Sequence, residues 1–154
     1  MKHWPRFVAA PLAVFAPAAI ATVYLSVEQA QQALFPRATF TELREGDYKV
    51  WRASDGGWFI VDQVLGKHEY ITYAVGLNAD GSVRGIEILV YRENHGGEIR
   101  DAAWRRQFAG KTAADPLKLD QDITNISGAT LSCRHVTDGV KRVLAFYEKK
   151  LKQR

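Results

Sequence analysis

Apolar residues recur along this chain with two different periods, and the places where the period changes mark its elements. Ser26-Val27-Glu28-Gln29 has the form of a helix capping box, with Gln29 three residues after the Ser26 cap. Val27, Ala30, Ala33 and Leu34 then share one helical face, and Pro36 stops the segment. Strand-like runs follow. Tyr48 to Ser54 leads through Asp55-Gly56-Gly57 into Trp58-Phe59-Ile60-Val61, and Tyr70 to Val75 leads through Asn78-Ala79-Asp80-Gly81 into Val83 to Tyr91. Aspartate-glycine between β-rich runs is a strong local hairpin signal. Trp104 and Phe108, four residues apart, predict a short helix ending near Gly110. Val136, Val140, Val143, Leu144, Tyr147 and Leu151 trace an apolar stripe at helical spacing. The pattern predicts a single α+β domain, an antiparallel sheet with a long C-terminal helix packed on it and short additional helices.

Two segments hold more than packing requires. The first, Ser127-Gly128-Ala129-Thr130-Leu131-Ser132, precedes the last helix. One reading is structural: Thr130 or Ser132 caps the helix and Gly128 turns the chain. The other is an anion site, because a helix N-terminus offers unpaired amides and a partial positive charge to a phosphate. The second segment is Glu93-Asn94-His95-Gly96-Gly97-Glu98. It reads as a polar turn closing a strand, or as a place where glycines let a ligand approach the backbone. Two carboxylates and a histidine are also metal-ligand types, but one turn without a second histidine is a poor set, and no metal is expected. The Walker and GxGxxG patterns are absent, which disfavours nucleotide hydrolysis and a Rossmann site. His135 as a hydrolytic base lacks an orienting acid. Cys133, at a helix start, is either a reactive thiol or an apolar packing residue.

The Ser127 to Ser132 stretch resembles the flavinylation motif of the FMN-binding domain family. That family includes flavin-carrying subunits of the sodium-translocating NADH:quinone reductase and of Rnf-type electron-transport complexes. The resemblance extends to Tyr24–Pro36, to the hairpin Val75-Gly76-Leu77 through Asp80-Gly81 into Ile86-Glu87-Ile88, and to Trp104 through Lys111. It implies FMN joined by a phosphoester to Thr130, made by a separate flavin transferase from FAD. It also implies ring contacts from Glu93 to Glu98, and electron exchange with a membrane-bound protein or complex. The domain would be an electron-transfer flavoprotein rather than a stand-alone catalyst. Arg92 and Arg134, flanking the two segments, are candidates to stabilise anionic reduced flavin. The alternative is a non-redox binder of flavin or another anionic ligand, acting as a sensor or as an interaction module of a membrane complex. Two departures stand out. The motif has an aspartate three residues before its serine, where this chain has Thr124 (Asp122 is off register), and the turn has Asn94-His95 where relatives carry Thr-Pro.

Composition changes this picture in one place. The chain has 21 Lys+Arg against 17 Asp+Glu, net +4, with a sequence pI of about 9.3, a figure that invites a nucleic-acid partner. The charge is not clustered that way. Residues 1–21 hold Lys2 and Arg6 and no acid, residues 22–133 are net −3, and Arg134 onward is net +5. No nucleic acid is expected. One cysteine excludes an internal disulfide and multi-cysteine zinc sites. Lys2, His3 and Arg6 precede an uncharged run from Phe7 to Val27 that contains Ala19-Ile20-Ala21. Residues 1–21 therefore read as a signal peptide, or as an uncleaved N-terminal membrane anchor, since the run reaches the ~20 residues that a spanning helix needs. Either would make residues 22–154 an FMN-binding domain in the periplasm or otherwise outside the cytoplasm.

Overall fold

The computed structural model describes residues 22–154, so the signal or anchor segment lies outside the described residues. The capping box forms as the sequence predicts. Ser26 Oγ accepts from the Gln29 amide at 3.1 Å, and Gln29 Oε1 accepts from the Ser26 amide at 2.8 Å. With both donors satisfied, helix α1 starts at Val27 and runs Val27–Leu34.

Five strands then form a meander: β2 Phe40–Glu45, β3 Tyr48–Ala53, β4 Trp58–Leu65, β5 Tyr70–Leu77 and β6 Val83–Tyr91. A two-residue strand, β1 Thr22–Val23, adds to the far side of β6, giving the order β1-β6-β5-β4-β3-β2. Every pairing is antiparallel. The aspartate-glycine turns join β3 to β4 and β5 to β6. Strand β2 escapes the sequence pattern for a physical reason. As an edge strand with no fully buried residue, it carries no apolar alternation to read.

Both faces of the sheet are covered. Helix α3, Thr130–Phe146, continues into a π-helical turn at Tyr147–Leu151 and buries the predicted stripe. Val136, Val140, Val143 and Leu144 pack with Val64, Ile71, Tyr73, Val75 and Ile88 of the sheet. On the other face Ala30 and Phe35 of the α1 region pack with Phe59, Val61, Ala74 and Leu89. Period-two alternation sends Ile60 to one cluster and its neighbours Phe59 and Val61 to the other. Between β6 and α3 the chain makes a 3-10 turn at Gly97–Arg100 and then α2, Ala102–Arg105, with a further 3-10 turn at Arg106–Phe108. Trp104 and Phe108 meet edge to face with centroids 5.1 Å apart, which anchors this connection in the core.

Candidate functional site

The two segments singled out in the sequence lie about thirty residues apart along the chain and meet at one end of the sheet. Strand β6 ends at Tyr91, whose hydroxyl donates to the His95 carbonyl and lies 2.9 Å from Ser132 Oγ. That one phenol joins the end of β6, the Glu93–Glu98 turn and the first turn of α3. Burial raises the Tyr91 pKa; the Ser132 contact opposes this, while Glu93 and Glu98 reinforce it, so the hydroxyl stays protonated and able to donate. Gly96 makes the junction fit. Its φ is +91°, and a Cβ there would sit 2.6 Å from the Tyr91 hydroxyl oxygen and 2.8 Å from Ser132 Oγ.

A groove runs along this junction. One part, about 390 Å³, is lined by Lys67, Glu93, His95, Gly96 and the residues Gly128 to Ser132. The adjoining part, about 490 Å³, is lined by Tyr24, Asn94 to Glu98, Arg100, Asp101 and Gly128. The two share His95, Gly96 and Gly128. Each is within the ~300–1,000 Å³ of ordinary ligand pockets. All the expected site residues except Ser127 line one part or the other. Ser127 sits in the turn preceding α3.

The helix start differs from the capping expectation. Neither Thr130 nor Ser132 is the cap: Ala129 occupies that position, Thr130 is the first helical residue, and no side chain caps the helix. The physical reason is that both hydroxyls are engaged elsewhere, Ser132 with Tyr91 and Thr130 with Asn125. The first-turn amides, which have no intrahelical acceptor, therefore have no side-chain oxygen over them either. Asn125 Nδ2 donates to Thr130 Oγ1 at 2.9 Å, while Asn125 Oδ1 is buried without a partner. Thr130 also borders a second cavity of about 300 Å³ with Lys118, Asp120, Arg134 and Asp138, which brings Arg134 near it. Arg92 is exposed at the end of β6 and lines neither part of the groove.

Several residues take structural duties. The Glu93 carboxylate accepts from the amides of His68 and Glu69 (2.9 Å to Glu69), clipping the β4–β5 hairpin tip to the turn. Partial desolvation pushes its pKa up, but these amides outweigh it and hold Glu93 below the ordinary glutamate range. Asp122 accepts from the Leu117 and Lys118 amides at 3.0 and 2.8 Å and pairs with Lys111 at 3.2 Å, so it ties its own loop together. Thr124 is held through its backbone. Its amide donates to Gln107 Oε1 at 2.7 Å, and its carbonyl accepts from Trp104 Nε1 at 2.9 Å. Cys133 is fully buried with its pKa raised by that burial, the behaviour of a packing residue. His135 Nδ1 is buried without a partner, and His135 lines neither part of the groove. Among the described residues no group of three or more His, Cys, Asp or Glu could hold a metal ion.

Residues 66–145, more than half of the chain, match the family model of the FMN-binding domain. The matched span opens at the β4–β5 tip and closes near the end of α3, so it holds the whole meeting point of the two segments. The chain belongs to the FMN-binding domain family. It is similar to a component of the Na(+)-translocating ferredoxin:NAD(+) oxidoreductase complex of Acetobacterium woodii, at 32% identity over 82 residues. That similarity covers 47% of this chain and 40% of the relative, so the chain matches less than half of the relative's length.

The groove fits the family's cofactor on this chain's own features. It offers a half-buried hydroxyl at Thr130, uncapped amides at a helix start, Lys67 for a phosphate, and a glycine turn, Gly96-Gly97, along its edge. Tyr24, Lys67, Tyr91, Arg100 and Asn125 are the residues of this site that sequence reasoning did not single out. Tyr24 and Arg100 stack, with the guanidinium carbon 3.4 Å from the ring centroid, as one wall of the groove. Strict alternation from Ile86 and Ile88 would put Tyr91 on the α1 side. A bulge at Leu89, where Thr72 pairs with Val90 and Tyr73 with Ile88, turns it to the α3 side instead, so the sequence carried no signal for these residues.

Proposed function

We propose that the protein is an exported FMN domain that relays electrons, with FMN attached through a phosphoester to Thr130 by a flavin transferase. The observation that carries this reading is the shared groove. Thr130 lines the same cavity as His95 and Gly96, so a phosphate held at the helix start leaves room for the rest of the cofactor along the glycine turn. Bound FMN supplies the one- and two-electron redox chemistry, and the chain supplies position and charge. The Thr130 hydroxyl is the acceptor. The uncapped α3 amides and Lys67 would hold the phosphate, and Asn125 holds the Thr130 oxygen. The Asn125 bond is compatible with esterification, since an ester oxygen can still accept though it cannot donate. The Glu93–Glu98 turn borders the remainder, with the Tyr24–Arg100 pair as its outer wall. The partner is a membrane-bound electron-transfer protein or complex, in line with the sodium-translocating complex to which the A. woodii relative belongs.

The test is direct. The protein is produced in hosts with and without a flavin transferase, denatured, and inspected for flavin fluorescence on the gel. A fluorescent band that needs the transferase and vanishes in Thr130→Ala is the expected result. Protein that is yellow when native and loses its colour on denaturation removes the phosphoester but leaves FMN binding. Colourless protein from both hosts overturns the reading.

A further inference from the structure

The described residues expose four large apolar side chains: Val23 (66%), Tyr70 (57%), Leu65 (51%) and Leu131 (41%). Single exposed hydrophobics are ordinary, but these are not scattered. Leu65 and Tyr70 face each other across β4 and β5 at the hairpin tip. Val23 shares their sheet face, because it pairs with Val90, Val90 pairs with Thr72, and Thr72 lies two residues from Tyr70. Leu131 lines the groove together with Lys67 of the same tip. All four therefore sit around the groove end of the molecule. The opposite end, with the turns at residues 54–57 and 78–82, exposes none.

Two further observations say what covers this end. Strand β1 begins at Thr22, opposite Tyr91, so the chain reaches the sheet at the groove end. The fifteen residues before it, 7–21, contain no charge and include Phe7, Val8, Leu12, Val14, Phe15 and Ile20. No polar linker separates that apolar stretch from the strand. The rim chemistry matches an interface between water and lipid. Tyr70 has an apolar body and a polar tip, and Lys67, exposed beside it, can lay its stem on apolar surface while its ammonium reaches an anionic headgroup.

We propose that the groove end of the domain rests on a phospholipid bilayer, with Val23, Leu65, Tyr70 and Leu131 at the headgroup boundary and residues 1–21 retained as the adjoining anchor. This orientation turns the FMN groove toward the membrane surface. It does not depend on whether FMN is joined to Thr130, because the same surface is present without cofactor. A protein partner seated directly on the rim is the rival occupant.

The full-length chain, made without flavin transferase and carrying Tyr70→Cys or Leu131→Cys, is labelled with an environment-sensitive dye. The wild type serves as the blank for buried Cys133. It is placed in phosphatidylethanolamine–phosphatidylglycerol vesicles containing an acyl-chain nitroxide lipid. Fluorescence loss is expected at both positions and not at Ala79→Cys, on the opposite end of the sheet ~25 Å away at about 3.3 Å per residue. Introducing Leu65→Asp and Leu131→Asp into the Tyr70→Cys chain should abolish the loss. Equal loss at residues 70 and 79, no loss at any position, or a chain that stays free of the vesicles overturns the proposal. Loss at residue 70 that appears only when other membrane proteins are added overturns it in favour of the protein partner.

Discussion

At the scale of single residues, the site turns on how closely the backbone of one loop approaches the side chains of two others. Gly96 and Gly128 both have positive φ, +91° and +86°, yet they differ in surroundings. A Cβ at Gly96 meets Tyr91 and Ser132, whereas at Gly128 nothing lies within 4 Å. Gly128→Ala should therefore cost only the backbone penalty, about 1 kcal/mol, and Gly96→Ala about 1–3 kcal/mol more from the forced contacts. Urea midpoints of the two variants measure the difference, and equal midpoints would show that the Tyr91 junction yields freely. Asn125 carries a second prediction. Asn125→Ala leaves Thr130 in place but unheld, so transferase-dependent labelling should fall severalfold while stability changes by no more than about 1 kcal/mol, the net worth of a single hydrogen bond. Labelling rates that match the wild type would remove Asn125 from the site. Of these residues, the glycines, Thr130 and Ser132 were legible in the sequence, because turn and helix-start chemistry is local. Asn125 was not, since its meaning lies in one hydrogen bond made and one left unmade.

At the scale of elements, α3 supports the site from beneath while packing on the sheet. Gly139, in its interior, would ordinarily be a weak point, and Gly→Ala in an exposed helix stabilises by roughly 1 kcal/mol. Here the sign reverses. A Cβ at Gly139 would stand 2.3 Å from the Tyr73 hydroxyl oxygen and 2.8 Å from Val64 Cγ1. That hydroxyl is buried and donates to Asp62 at 2.7 Å, and Asp62 also holds Arg142 of α3 at 2.8 Å. Gly139→Ala should destabilise by about 1–3 kcal/mol through overpacking, read as a lower thermal or urea midpoint. A gain in stability would mean that the helix can lift from the sheet at no cost. Adjacent hairpins and the two amphipathic helices were readable because their signals repeat within a few residues. Strand β2 was not, since an exposed edge needs no alternation, and neither was β1, whose two residues gain strand character only from the edge of β6.

At the scale of the whole molecule, three carboxylates act as clips between separate stretches of chain. Glu93 holds the β4–β5 tip, Asp122 holds its loop to Lys111, and Asp55 pairs with Arg84 at 2.8 Å. In each case partial desolvation works against ionisation, but hydrogen bonds and nearby positive charge outweigh it, and the folded pKa lies below the ordinary value. The unfolded chain therefore binds protons more readily. This stabilisation is complete above the ordinary carboxylate range and is lost as pH falls through the folded values. Resistance to urea should decline as pH drops from about 5 toward 2, and Glu93→Gln should shallow that decline. A wild-type slope in Glu93→Gln would show that the clip contributes nothing. The molecule's positive net charge derives from residues 1–21 and from Arg134 onward, while residues 22–133 are net −3. The sequence by itself determined the α+β class, the two helices, the two aspartate-glycine hairpins, and the pair of segments that resemble an FMN site. Each of these rests on a period or motif confined to a few neighbouring residues. Only the tertiary structure decided that those segments form one groove, that Tyr91 joins them, that Glu93 serves the hairpin, and that every exposed large apolar side chain among the described residues gathers at the same end. Such facts depend on contacts between residues tens of positions apart, and side-chain packing sets those contacts rather than spacing along the chain.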